Sequence, residues 1–187
     1  MSGDGLIYLV RHGEAAASWG EDPDPPLSEN GQREAADAAA QLQPLLGPAG
    51  GRLLSSPLLR ARQTAEPLAS ALACEPLIDE RFREIPAPVP LERRQQWLRS
   101  FMRQRWSEQD AAISGWRDGM MGALRDLAGS SVVFTHFLVI NTIVGELQER
   151  DETLLFWPAN GSITTLERRN GALAVVALGE EMRSRVN

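Results

Sequence analysis

The chain has 187 residues, enough for one domain with a core of its own. Its 43% apolar and 24% charged residues are those of an ordinary soluble globule, and a net charge of −6 disfavours non-specific adhesion to nucleic acid or an anionic membrane. A single cysteine, Cys74, excludes an internal disulfide and a thiolate zinc cage, and all 19 basic residues being arginine excludes the lysine-dependent Walker loop, Schiff-base enzyme and protein kinase.

The opening "MSGDG" carries neither a basic segment nor a long apolar run, so no signal peptide is expected and a cytoplasmic location is the default. No apolar run reaches membrane-spanning length. The first predicted strand is 6–10, "LIYLV", apolar on both alternate faces as in a strand covered on two sides. It runs straight into Arg11, His12, Gly13 and Glu14. After it, "EDPDPPLSEN" is a proline-rich loop. A helix over 28–46 follows, with Ser28 as N-cap and Ala35, Ala39, Leu42 and Leu46 on one face. "RLLSS" reads as a short strand. The helix after it is expected to take Ser56 as N-cap and Pro57 as its first residue.

"EPLID" is a third strand candidate and "REIPAPVP" a rigid loop. Two helical patterns come next, one placing Leu98, Phe101, Met102 and Trp106 on a face, the other Ile113, Trp116, Met120, Leu124 and Leu127. "SVVFT" is a β-branched central strand that ends on His136, the second of only two histidines. "FLVINTIVGEL" is a buried helix, and the last segment is a hairpin turning at Asn170-Gly171. Strands alternating with helices predict an α/β layered sheet, mostly parallel, with an antiparallel pair at its edge. Ligands in such sheets sit beyond the carboxyl ends of the strands. Both histidines lie at such ends, so a shared crevice is expected.

Several chemistries lack their residues. Cys74 has no Cys-x5-Arg loop around it, and no Gly-x-Ser-x-Gly elbow occurs. The aspartates of "DPDPP" lie between prolines rather than at a strand end, without a lysine partner. A metal site is disfavoured where a guanidinium neighbours an imidazole. An imidazole nucleophile remains. It is neutral enough near pH 7 to attack phosphorus, provided fixed cations hold the phosphoryl oxygens and an acid protonates the leaving oxygen. Arginine suits the first task because its planar fork pairs two oxygens.

"RHGEA", "PLSENGQREA", "LLSSPLLRARQTAEPLA", "FREIP" and "VVFTH", in that order, resemble the histidine phosphatase superfamily, over residues 6 to about 166. The resemblance implies a phosphoglycerate mutase-like three-layer sandwich, with helices on both faces of a mostly parallel sheet. By it, His12 is the phosphorylated nucleophile, Arg11 and Arg60 bind the phosphoryl group, and His136 stabilises it. Glu84 falls at the proton donor, and Gly13 at a glycine that lets the backbone pass close beneath the nucleophile. Arg62 rivals Arg60, and Glu80 rivals Glu84. Ser18 stands where an asparagine commonly helps bind phosphate. Phe137 stands where glycine usually follows the second histidine, so its ring is expected to narrow the site or stack on substrate. "EIPAP" lacks the Gly-x-Trp-Glu-Gly run that often follows the donor.

The expected activity is a metal-independent phosphomonoesterase without a cofactor, acting on a small phosphorylated metabolite through a phosphohistidine. The chain is short for the insertions that close a mutase site against water. A phosphoglycerate mutase-type transferase and a non-catalytic phospholigand-binding module are the alternatives. Residues 1–187 are read as one catalytic domain with a helical cap at about 86–110; plain amphipathic helices with solvated arginines are the competing reading of that segment.

Overall fold

The computed structural model describes residues 4–17, 21–46 and 50–182. Its centre is a six-stranded sheet in the order β3-β2-β4-β1-β5-β6. The strands are β1 (Gly5–Arg11), β2 (Arg52–Ser55), β3 (Leu77–Ile78), β4 (Ser131–Thr135), β5 (Ile163–Arg169) and β6 (Ala172–Ala177). The first four run parallel, while β5 pairs antiparallel with both β1 and β6. The mostly parallel sheet with an antiparallel edge is therefore as the sequence pattern predicts.

Successive side chains of β1 point to opposite faces, and that alternation builds two cores. Ile7 and Leu9 join Val133 and Leu54 beneath α4 (Ala111–Asp126) and α5 (Phe137–Leu147). Tyr8 and Val10 join Val132 and Phe134 beneath α1 (Glu29–Leu46) and α2 (Leu59–Leu72). Layers of helix, sheet and helix result. A third apolar cluster packs Leu98 and Phe101 of α3 (Arg94–Phe101) with Trp106 and Ile85 against Phe137 and Leu138. This seats the segment after Glu84 on the N-terminus of α5. No helix among the described residues is long and apolar enough to cross a membrane.

Local rules account for most element ends. The Ser28 hydroxyl accepts from the Gly31 N–H at 3.0 Å and caps α1. Asn170 and Gly171 both have positive φ, 53° and 80°, as the tight turn between β5 and β6 requires. Arg168, 1% exposed, donates to the carbonyls of Leu124 (2.7 Å) and Leu127, closing the C-terminal end of α4.

Two expectations are corrected. Helix α2 starts at Leu59 instead of Pro57, because residues 56–58 form an extended turn and the cap residue is Leu58. The Leu59 N–H is taken from a distance in sequence, by the Asp24 carboxylate at 2.8 Å. Trp106 lies beyond α3, in a 3₁₀ turn at Trp106–Glu108, and is nevertheless buried.

Candidate active site

Strands β1 and β4 are adjacent and parallel, with Arg11 opposite Thr135. The chain leaves both strands at the same level, and the His12 N–H donates to the Thr135 carbonyl at 2.9 Å. The two imidazoles consequently meet, their centroids 5.2 Å apart in an edge-to-face arrangement. His12 is 5% exposed and His136 fully buried.

The His12 tautomer follows from its partners. An arginine Nε can only donate and a carbonyl can only accept. Arg60 Nε donates to His12 Nε2 at 3.2 Å, so Nε2 carries a lone pair; Nδ1 carries the proton and donates to the Gly13 carbonyl at 2.7 Å. Burial pushes the His12 pKa well below its ordinary value, and the charges of Arg60 and Arg11 add to that push. A neutral imidazole whose Nε2 lone pair lies beside two cations is a competent nucleophile toward phosphorus.

Gly13 is pressed against α1. A Cβ there would stand 2.9 Å from Gly31 Cα and closer still to the Gly31 carbonyl oxygen. The Gly13 N–H donates to Thr64 Oγ1 at 3.0 Å, and that hydroxyl donates to the Arg60 carbonyl at 2.7 Å. Thr64 thereby ties the loop after β1 to α2, a link that sequence reading passed over.

Arg11 and Arg60 are 7% and 5% exposed. Arg11 donates to the Pro158 carbonyl at 2.7 Å, and burial lowers its pKa to about 10. Asp24, which caps α2, stands 3.8 Å from Arg60. Arg62, the rival, is exposed on the far side of α2 and lines a separate cavity with Cys74. Phe137 departs from expectation. Its ring is 2% exposed, 5.1 Å from the Arg11 guanidinium and 5.2 Å from the Trp157 ring, so it supports Arg11 from the core side instead of walling the pocket.

His136 occupies the N-cap position of α5 without a side-chain cap bond, and its Nε2 meets Ser56 Oγ at 2.7 Å. Ser56 Oγ also accepts from the Leu58 N–H at 3.3 Å, one residue ahead of α2. Burial and the charge of Arg60 hold His136 well below its ordinary pKa. Arg11 Nε and His136 Nδ1 are buried without hydrogen-bond partners among the described residues. Unsatisfied polar nitrogens in one buried site are rare, and a bound anion is the kind of partner that satisfies them.

Glu84 stands on the same helix end. Its carboxylate accepts from the Ile85 N–H at 3.0 Å and from the Leu138 N–H, in the first turn of α5, at 3.2 Å. Burial raises its pKa, with those two N–H bonds, Arg60 and Arg94 acting against the rise. Glu80, the alternative, pairs at 3.0 Å with Arg83 on the surface. A cavity of about 360 Å³ opens beside Glu84, walled by Pro23, Leu58, Ile85 and Leu91 and reached by Arg94. Ser18 lies outside the described residues. Among the described residues no group of three His, Cys, Asp or Glu side chains could hold a metal ion.

Comparison with known proteins gives a family and a fold. The profile of the Histidine phosphatase superfamily (branch 1) matches residues 7–181. The probable phosphoglycerate mutase GpmB of Cronobacter sakazakii is 33% identical over 119 residues, which make up 60% of this chain and 52% of that protein. The chain spans about half the length of the curated relatives it matches. Among solved structures, a mycobacterial glucosyl-3-phosphoglycerate phosphatase superposes with a TM-score of 0.74 at 19% identity, covering 95% of this chain and 100% of that one. Phosphoserine phosphatase from Entamoeba histolytica, in complex with 3-phosphoglyceric acid, gives 0.71 at 23% identity, covering 94% and 97%.

Proposed function

The chain belongs to the histidine phosphatase superfamily, and from that premise we propose that it is a metal-independent phosphomonoesterase acting on a small phosphorylated metabolite. The carrying observation is the neutral His12 imidazole, its Nε2 lone pair met by the Arg60 guanidinium and its ring 5.2 Å from that of His136. In this reading residues 1–187 form one catalytic domain, with 86–110 as a cap over the leaving-group side.

The reaction runs in two displacements. His12 Nε2 attacks phosphorus while the bond from phosphorus to the ester oxygen breaks, and Glu84 gives its proton to that departing oxygen. The alcohol leaves. The Glu84 carboxylate then takes a proton from a water whose oxygen attacks phosphorus. The P–N bond breaks, its electron pair returns to Nε2, and inorganic phosphate departs. Arg11, Arg60 and His136 hold the equatorial oxygens in both steps, where preorganised positive charge carries most of the catalysis. The two guanidiniums beside the imidazoles oppose a divalent cation there, which supports a metal-free mechanism. A mutase that returns the phosphoryl group to a sugar acid is the second reading, supported by the likeness to GpmB.

Release of phosphate from p-nitrophenyl phosphate, expected to persist in chelator and to vanish in His12→Ala, tests the proposal. Interconversion of 3-phosphoglycerate with a bisphosphate activator, without phosphate release, would instead make the mutase reading right.

A further inference from the structure

A cavity of about 300 Å³ opens where α1 faces the segment leading into β5 and the residues just past β6. It shares no wall residue with the cavity beside Glu84. Its charge has one sign. Glu34 and Asp37 come from α1 and Glu180 from the chain after β6, and no arginine lines it, although the chain has 19. None of the three carboxylates has an ion pair among the described residues. Glu34 is engaged otherwise, accepting from the Glu14 N–H at 2.7 Å and from Asn30 Nδ2 at 3.1 Å. Asp37 and Glu180 are exposed.

Acidic side chains at a surface are ordinary, but the floor of this cavity is not. Ser162 is 9% exposed, and its Oγ is buried without a hydrogen-bond partner among the described residues, as is Asn160 Oδ1. Both residues line the cavity. Gly179 keeps one side of the hydroxyl open, since a Cβ there would stand 2.9 Å from Ser162 Oγ. The backbone around the two oxygens is already engaged. Ala159 N–H donates to the Glu180 carbonyl at 2.7 Å, Gly161 N–H to the Arg11 carbonyl at 3.0 Å and Ser162 N–H to the Ala159 carbonyl at 3.1 Å. Two unpartnered buried oxygens in one cavity are rare in a folded chain, and a donor from outside is what would satisfy them.

We propose that this cavity binds a small aliphatic amine as its ammonium ion. An ammonium carries three donors and no acceptor, which suits Ser162 Oγ, Asn160 Oδ1 and a carboxylate of Asp37 or Glu180. Charge-assisted bonds of this kind are the strong ones. Ile163 and Leu178, the latter 46% exposed, supply apolar wall for a short carbon chain. A bare metal ion fits less well, because the volume is that of a small molecule and no three ligating side chains converge among the described residues. The chain has no lysine, so no side chain of a second copy can supply the ammonium. The inference stands apart from the phosphomonoesterase reading.

Isothermal titration calorimetry at low ionic strength tests it, with butane-1,4-diamine as the probe. Butane-1,4-diol is the neutral isostere, magnesium chloride the metal arm, and Nα-acetyl-lysine amide the stand-in for a partner protein's side chain. Wild type is expected to bind the diamine at one saturable site and to ignore the diol. Ser162→Ala and Asn160→Ala each weaken the diamine about 10-fold, the effect of one hydrogen bond to a charged group. Their melting temperatures hold, because the deleted atoms have no partner in the fold. Asp37→Asn combined with Glu180→Gln changes only exposed groups, so it keeps the test decisive whatever the buried variants do to folding, and it too weakens binding about 10-fold. Glu66→Gln, an exposed acid on α2, leaves binding unchanged. Absence of saturable heat overturns the proposal, as does equal weakening in Glu66→Gln, which would mean bulk attraction to an acidic chain. Equal binding of the diol or of magnesium also overturns it, and tighter binding of the lysine amide would make the ligand a protein instead. Unchanged diamine affinity in the Asp37, Glu180 double variant sinks it directly.

Discussion

Replacing Glu84 by glutamine tests the proton-donor role most directly. The side chain is 7% exposed, and each carboxylate oxygen accepts one backbone N–H, from Ile85 and from Leu138. Glutamine keeps one oxygen for one of those donors and turns its NH₂ against the other. Leaving a buried N–H unpaired costs about 1–3 kcal/mol, and at this chain length each kcal/mol lowers the melting temperature by about 2–4 °C. The shape of the site is otherwise kept. Loss of a positioned acid costs about 10²–10⁴-fold, equivalent to about 3–5 kcal/mol of barrier. That cost falls only on leaving groups that need the proton. Glycerol phosphate, which expels an alkoxide, should therefore lose the whole factor in kcat/KM, whereas p-nitrophenyl phosphate, whose phenolate departs unprotonated, should lose far less. Steady-state kinetics on both, with a melting curve as the folding control, make the comparison. Equal losses on the two substrates would refute the assignment.

Three further outcomes follow from the packing. Both imidazoles are held below their ordinary pKa, chiefly by burial and then by neighbouring guanidiniums. The unfolded chain binds protons near pH 6.5 that the fold refuses, so stability is full above that pH and falls below it, by up to about 1.4 kcal/mol per pH unit for each histidine. Glu84, raised by burial, has the opposite sign and adds stability toward acid above its ordinary range. Urea midpoints between pH 7.5 and 5.5 should accordingly fall less steeply in His136→Gln than in wild type, and identical slopes would contradict a buried neutral His136. Gly13→Ala drives a methyl group into the Gly31 backbone, which has no flexible end to yield. A stability loss of about 1–3 kcal/mol in denaturant titration, with turnover reduced, is expected. Arg168→Met strips the C-terminal carbonyls of α4 of their buried donor, and about 2–4 kcal/mol should disappear from the same titration while KM holds.

What the sequence made legible were the features written in short range. The two apolar runs that end on His12 and His136 marked strand ends, and the parallel sheet between them required only the alternation of elements. The Asn170-Gly171 turn was readable because both positions need positive φ. Burial decided what spacing could not: Arg60 over Arg62, and Glu84 over Glu80. Contacts between distant strand ends stayed hidden. Ser56 looks like a helix cap in one dimension, and only the pairing of β2 with β4 brings its hydroxyl to His136, 80 residues away. Phe137 follows a histidine at a pocket, which suggested substrate contact, but the first turn of α5 swings its ring toward Trp157 and beneath Arg11. Thr64 gave no signal, since a threonine within a helix is ordinary until its partner is seen.

His136 and Glu84 are both fastened to the N-terminal end of α5, and His12 is fastened to Thr135, two residues before that helix begins. The residues proposed to act on phosphorus therefore share a single foundation, the seam between two neighbouring strands. The stretch carrying Leu91 and Arg94 meets that foundation through apolar contacts with Phe137 and Leu138 and is tied further on by the Thr153 hydroxyl, which donates to the Phe101 carbonyl at 2.6 Å. In the proposed reading, change divides unevenly along the chain: revision of the outer stretch would alter which leaving groups fit, whereas revision of the seam would displace both imidazoles at once.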